Sequence, residues 1–174
     1  MRPLKLFVAV SLDQFIARSD GRVDWLFTDQ DYGYQEFYQS IDTLLMGRKT
    51  YDQVLTFGEY PYPEKKSYIF TRNPALKAKA PIEFVSSDSS EFIKNLKQKS
   101  GKDIWLVGGG ELTRYCFQHH LIDELILSIH PILLGEGIPL FSGLPQDIPL
   151  QFVAVKNFST GLVQAHYQIQ LSVS

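Results

Sequence analysis

A single cysteine in 174 residues removes two kinds of scaffold at once. Cys116 cannot close an internal disulfide, and no cysteine-rich zinc site can be built around it. It falls within the apolar helical stretch Tyr115-Cys116-Phe117, where a buried, inert thiol is expected rather than a nucleophile. Neither H-x-E nor C-x-x-C occurs, so the motifs of a zinc deaminase are absent too. Excess charge is also missing: 17 basic residues face 19 acidic ones, the net charge is −2, and no basic tract is present. That removes the usual footprint of a nucleic-acid-binding protein. No apolar run approaches the length of a membrane span. The short one after Met1-Arg2-Pro3 is interrupted by Asp13, with no small-residue cleavage site behind it. A soluble, cytoplasmic protein is expected, with neither nucleic acid nor membrane as partner. No metal is expected either. His119-His120 lack the i, i+4 spacing that puts two ligands on one helix face, and His130 and His166 are isolated and read as structural. Without linker, repeat or low-complexity tract, residues 1–174 read as one domain.

What is present is a core. Hydrophobic residues make up 44% of the chain and aromatics 13%, too much apolar surface for disorder. Leu4 to Leu12 is a nearly continuous apolar run, as in a strand of a parallel sheet covered on both faces. Asp13 to Val23 is polar and turn-rich. Tyr34, Phe37, Tyr38 and Ile41 recur at helical spacing. Thr43–Met46, Ser67–Thr71, Ile82–Val85, Ile104–Val107 and Asp123–Ile129 read as strands. Helical segments follow at Gly47–Leu55, from a cap at Ser87 or Asp88 to about Lys99, and at Glu111–His119. Asp88 and Glu91 have capping-box spacing, and Asn73-Pro74 stops a strand. Phe57–Lys66 and Leu133–Phe141 read as loops. Phe152–Phe158 and Val163–Leu171 alternate apolar and polar residues around Ser159-Thr160-Gly161, which predicts a terminal hairpin. The fold class is therefore α/β: a mostly parallel central sheet flanked by helices, with a C-terminal antiparallel hairpin.

In such sheets ligands sit at the carboxyl ends of the strands. Three strand ends here carry unusual chemistry. Val107-Gly108-Gly109-Gly110-Glu111-Leu112 passes from strand to helix through three residues without a Cβ. Such a turn lets a ligand approach the backbone, and the helix start behind it suits a phosphate. It is not a G-x-G-x-x-G fingerprint, because Thr113 stands at the third glycine position. Gly47-Arg48-Lys49-Thr50 puts two cations on a first helical turn, where the dipole disfavours them unless an anion is held there. Thr71-Arg72 ends the next strand, with a guanidinium fork suited to phosphate. Together the three favour a phosphorylated dinucleotide over a single phosphate.

The chain resembles the dihydrofolate-reductase-like superfamily, and within it the branch containing the C-terminal reductase domain of bacterial riboflavin biosynthesis. The resemblance runs through ordered motifs: Val8-Ala9-Val10-Ser11-Leu12-Asp13 with Ile16-Ala17; Leu45-Met46-Gly47-Arg48-Lys49-Thr50-Tyr51; Phe70-Thr71-Arg72-Asn73-Pro74; Val107-Gly108-Gly109-Gly110; and Pro131-Ile132-Leu133-Leu134-Gly135-Glu136-Gly137 on to Pro139-Leu140-Phe141. It implies NADPH as cofactor and hydride transfer to a small substrate. Gly47, Arg48, Lys49 and Thr50 would hold the pyrophosphate and 2′-phosphate, Thr71 and Arg72 the adenosine end. Val107 to Leu112 would meet the nicotinamide and pyrophosphate, and Ala9, Ile16 and Ala17 would line the nicotinamide pocket. A homodimer is implied as well.

Two departures bear on the substrate. Gln14 stands where many relatives of this branch have glycine. Gly33 falls near the position where true dihydrofolate reductases carry their pterin-binding acid, leaving Asp29, Asp31 and Glu36 as displaced candidates for a catalytic carboxylate. The expected activity is that of a 5-amino-6-(5-phosphoribosylamino)uracil reductase, acting on a pyrimidine- or pteridine-like ring. The alternatives are a non-catalytic NADP-binding regulatory protein and a weak dihydrofolate reductase. A substrate phosphate would need its own basic site, and no clear one stands outside the cofactor motifs.

Overall fold

The computed structural model describes residues 1–73, 81–86, 88–144 and 146–170. Its strands are β1 (Leu4–Ser11), β2 (Phe15–Ala17), β3 (Ile41–Gly47), β4 (Lys66–Phe70), β5 (Ile82–Val85), β6 (Asp103–Gly108), β7 (Glu124–His130), β8 (Ile138–Pro139), β9 (Leu150–Asn157) and β10 (Val163–Ile169). The helices are α1 (Tyr34–Ser40), α2 (Arg48–Thr56), α3 (Ser89–Gln98) and α4 (Gly110–Gln118). Eight strands form one sheet in the order β5-β4-β3-β6-β1-β7-β10-β9. From β5 to β7 all neighbours are parallel, and β10 and β9 close the sheet antiparallel. The α/β expectation therefore holds, including the terminal hairpin.

The unbroken apolar runs follow from helices on both faces. On β3, Leu44, Leu45 and Met46 have no exposed surface, because alternate residues enter two different cores. One core joins Leu4, Leu6, Val10, Leu45 and Leu106 to Ile93 and Leu96 of α3 and to Leu112, Cys116 and Phe117 of α4. Burial pushes the Cys116 thiol up to about 12, which keeps it protonated and inert as expected. The opposite core joins Leu44, Met46, Ile69 and Trp105 to Phe37 of α1, with Tyr51 of α2 packed against it. Asp88 caps α3 by accepting from the backbone N–H groups of Ser90 (2.9 Å) and Glu91 (3.1 Å). The alternative cap Ser87, the strand stop at Pro74 and the hairpin end at Leu171 lie outside the described residues.

One sequence reading needs correction. Asp13–Val23 and Leu133–Phe141 are not wholly loop, since each contributes a short strand, and β2 pairs antiparallel with β8. Three- and two-residue strands are too short for a period-2 pattern to reveal them. The hairpin strand β9, placed as expected, covers no core. All eight of its residues are exposed, Phe152, Val153 and Val155 by about half or more. No helix among the described residues is long and apolar enough to cross a membrane.

Candidate functional site at the carboxyl edge of the sheet

The three unusual strand ends lie on adjacent strands, β4-β3-β6. Topology thus brings together Gly47–Thr50, Thr71–Arg72 and Gly108–Gly110, which are far apart in sequence. Met46 pairs with Gly108 after a register shift, setting the start of α2 against the glycine turn. Gly109 has φ +101°, and a Cβ there would lie 2.9 Å from Thr50 Oγ1 and 3.5 Å from the Gly47 backbone. Gly108 and Gly110, by contrast, have nothing within 4 Å of a Cβ position, so the turn borders open space. Both helices that start here, α2 and α4, lack a side-chain cap. Their first N–H groups therefore need an acceptor from outside the helix. Two uncapped helix starts beside an open glycine cradle fit a pyrophosphate. Leu112 contributes backbone only, since its side chain is in the core.

Around this cradle stand the cations. Lys49 and Arg72 extend into solvent, and both reach Glu111, Lys49 Nζ at 3.4 Å and Arg72 Nη2 at 3.6 Å. Arg48 donates to Asp52 one helical turn on (2.7 Å) and lies over the Phe84 ring. Thr71 holds its turn by donating its N–H to the Val85 carbonyl (3.0 Å), while its hydroxyl accepts from the Asn73 N–H (3.1 Å). Glu111, at the first turn of α4, is thus the acid shared by Lys49 and Arg72, while Arg48 is paired with Asp52.

On the neighbouring β1, Ala9 is half-buried beside Ser128 of β7. Ile16 and Ala17 lie on β2, whose pairing with β8 requires Gly137: a Cβ there would collide with the Ala17 carbonyl. Asp13 does not merely fix its own turn. Its carboxylate accepts from Ser11 Oγ (2.6 Å) and from the backbone N–H groups of Leu134 (3.1 Å) and Gly135 (2.8 Å). The Ser11 hydroxyl and these N–H groups hold its carboxyl below the usual range. Asp13 therefore ties the 131–137 motif to the end of β1.

Gln14, beside it, has φ +67°. This is a left-handed residue where a side chain is strained, so Gln14 carries a conformation that suits glycine rather than rigidifying a flexible position. We expect Gln14→Gly to raise stability by roughly 0.5–1 kcal/mol. A thermal melt with no increase would show that packing of the half-buried Gln14 side chain offsets the strain.

The three candidate acids are all exposed and engaged elsewhere. Asp29 accepts from Tyr32 Oη (2.6 Å), Asp31 accepts from the Gln35 N–H at the start of α1 (3.1 Å), and Glu36 faces Lys156 (3.5 Å). The structure does not gather them at the glycine turn. His130 and His166 have structural partners, as expected. His130 Nε2 accepts from the Phe27 N–H (3.2 Å), and its ring meets Trp25 edge-on; burial holds its pKa down. His166 Nε2 is 2.9 Å from Glu124. Among the described residues no cluster of three or more His, Cys, Asp or Glu could hold a metal.

Sequence spacing did not reveal the aromatic cluster of the second core. Phe7 stacks on Phe37 at 4.3 Å between centroids, and Trp105 is met by Phe37, Tyr34 and Tyr62 at 5.4, 6.0 and 5.4 Å. These rings come from β1, α1, β6 and the segment 57–65. Only the Tyr34–Tyr38 stretch carried a periodic signal.

Comparison with known proteins identifies the family and the fold. The family model "RibD C-terminal domain" matches residues 54–164. The Bacillus subtilis (strain 168) protein YwjB is 39% identical over 170 residues, 95% of this chain and 97% of YwjB. A putative riboflavin biosynthesis protein from Shewanella sp. PV-4 superimposes with TM-score 0.86 and 27% identity, over 97% of this chain and 99% of that one. The Thermotoga maritima diaminohydroxyphosphoribosylaminopyrimidine deaminase/5-amino-6-(5-phosphoribosylamino)uracil reductase gives TM-score 0.74 and 20% identity, over 97% of this chain and 57% of that one. Enterococcus faecalis dihydrofolate reductase, complexed with NADP(H) and RAB-propyl, gives 0.65 and 18%, over 96% and 94%. With its dihydrofolate-reductase-like sheet and the motifs assembled along its carboxyl edge, this chain belongs to the RibD C-terminal domain family.

Proposed function

We propose that this protein is an NADPH-dependent reductase that delivers hydride to a small pyrimidine- or pteridine-like ring. The observation that carries the reading is the pair of uncapped helix starts flanking the glycine cradle, with Lys49 and Arg72 beside them. Arg48, Lys49, Thr50 and the first N–H groups of α4 would hold the pyrophosphate. Thr71 and Arg72 would hold the 2′-phosphate end, and Ala9, Ile16, Ala17 and Val107 would border the nicotinamide. The bound cofactor would supply the hydride, while the protein orients the acceptor and excludes water. Family membership and the NADP(H) complex of the Enterococcus enzyme support this reading. Titration should show NADPH binding well ahead of NADH, and NADPH absorbance should fall when a suitable ring is added. Tight binding with no oxidation by any pyrimidine or pteridine would instead favour the regulatory alternative.

With Asp29, Asp31 and Glu36 engaged at the surface, dihydrofolate should be reduced very weakly or not at all. Robust dihydrofolate turnover, abolished by changing one of these acids, would overturn that expectation and give the residue the pterin-binding role.

We also propose a homodimer in which a second copy covers β9. An eight-residue edge strand with Phe152, Val153 and Val155 exposed is an aggregation hazard unless something pairs with it. A two-fold pairing would cover both edges at once. Val155→Lys should then convert a dimer to a monomer in light scattering. A parent protein that is already monomeric would refute the pairing.

A further inference from the structure

Resting on the reductase reading, we propose that Asp13 is a positioning residue of the nicotinamide pocket: its carboxylate fixes the segment 131–137, and that segment seats β2, with Ile16 and Ala17, against the cofactor. The segment belongs to the run 131–141, to which the cofactor contacts above assign no role. It starts directly after β7 and returns as β8 to pair with β2, Phe15 beside Pro139 and Ala17 beside Ile138. Close approach of the two strands depends on Gly137, since a Cβ there would collide with the Ala17 carbonyl. The Leu140 N–H then donates to the Gln14 carbonyl (2.9 Å), and the Leu140 side chain enters the core.

Apolar burial does little to hold this segment in place. From 131 to 139 every residue is exposed or half-buried, and Leu133 is 68% exposed. Hydrogen bonds to the end of β1 supply the hold. The Ile132 carbonyl accepts from the Leu12 N–H (2.8 Å). One oxygen of the Asp13 carboxylate accepts from the Leu134 N–H (3.1 Å) and the Ser11 hydroxyl (2.6 Å), the other from the Gly135 N–H (2.8 Å). The Ser11 oxygen in turn accepts from the N–H of Phe15 (2.9 Å), the first residue of β2. Ser11 is fully buried, so this link is shielded from water. A single carboxylate therefore ties β2 down twice, through Ser11 on one side and through the 131–137 segment on the other.

This arrangement requires a carboxylate. Two backbone N–H groups approach different oxygens of Asp13, and an amide has only one acceptor oxygen. In either orientation of the Asp13→Asn amide, its NH2 group would face the N–H of Leu134 or of Gly135. The segment would then spend part of its time away from β2. Ligand affinity falls in proportion to the fraction of molecules that keep the competent arrangement. Only the nicotinamide end should register this loss. The residues proposed for the phosphates follow β3, β4 and β6, whereas Asp13 follows β1 and holds β2 and the segment after β7.

The test is calorimetric titration of the full chain with NADPH and with 2′-phospho-ADP-ribose, which keeps every phosphate and lacks the nicotinamide. The parent is titrated first. A parent that binds neither ligand removes the cofactor reading itself, and this proposal with it. Asp13→Asn should weaken NADPH by about tenfold and leave the fragment unchanged, as expected when roughly nine molecules in ten leave the competent arrangement. Gly137→Ala disturbs β2 from the other side and should give the same split between the two ligands. Equal weakening of both ligands by Asp13→Asn, or loss of its fold by circular dichroism, would make Asp13 a structural residue only and overturn the proposal. NADPH affinity equal to the parent's in either variant would overturn it as well.

Discussion

Gly109→Ala is expected to abolish most NADPH binding, by roughly a hundredfold, while leaving a folded protein with about 1–3 kcal/mol less stability. Two separate effects combine here. At φ +101° a side chain is strained, and the new Cβ would press on Thr50 Oγ1 at 2.9 Å. The turn must therefore rotate or move away from α2. Either change shifts the N–H groups at the start of α4, and a pyrophosphate bound by those groups loses its alignment. Gly110→Ala provides the control. Its Cβ meets nothing within 4 Å, and at the first helical position alanine favours the helix. That variant should melt no lower than the parent, so any NADPH it loses reports close approach of the cofactor and not a damaged turn. Circular dichroism and NADPH titration on both variants decide the matter. If Gly109→Ala binds NADPH as tightly as the parent, the glycines serve only to pack β6 against α2, and the cofactor assignment fails.

The sequence revealed the strand ends well because their chemistry is local. Glycines between an apolar run and a helix, or cations on a first turn, conflict with ordinary preferences and can be recognised without knowing the fold. Parallel topology then did the rest: once β4, β3 and β6 are neighbours, three local anomalies become one site. The opposite holds for Trp105 and Tyr62. They meet at 5.4 Å in the second core, and nothing local in the sequence shows that β6 and the segment 57–65 converge there. Asp13 is a case in between. It opens a polar, turn-rich stretch and accepts from Ser11 two positions back, but its backbone partners lie some 120 positions away, at Leu134 and Gly135. The pairing of β2 with β8 is long-range in the same way, and its only local trace is Gly137, which lets the two strands meet. The exposure of β9 escaped the pattern for a different reason. Alternation reports two unlike faces and does not say that either is covered.

Arg72→Ala should weaken NADPH by about tenfold or more and leave NADH nearly unchanged, because the guanidinium is expected to serve the 2′-phosphate alone. A charge-assisted contact contributes roughly 1.5–3 kcal/mol. The lower end applies here, since the Arg72 side chain is almost fully exposed and screened by salt. Glu111 sharpens the test. Its carboxylate lies 3.4 Å from Lys49 Nζ and 3.6 Å from Arg72 Nη2, near both cations that the phosphates would need. Surface pairs of this kind are weak, so they do not block the site, but the carboxylate repels an incoming phosphate. Glu111→Gln should therefore act in the opposite direction and tighten NADPH by about two- to fivefold. It should also cost a few tenths of a kcal/mol in stability, since an acid favours the first turn of α4. Both changes should shrink as ionic strength rises. Equal losses for NADPH and NADH in the Arg72→Ala titration would remove Arg72 from the 2′-phosphate role. An unchanged NADPH affinity in Glu111→Gln at low salt would show that the two cations do not face the cofactor.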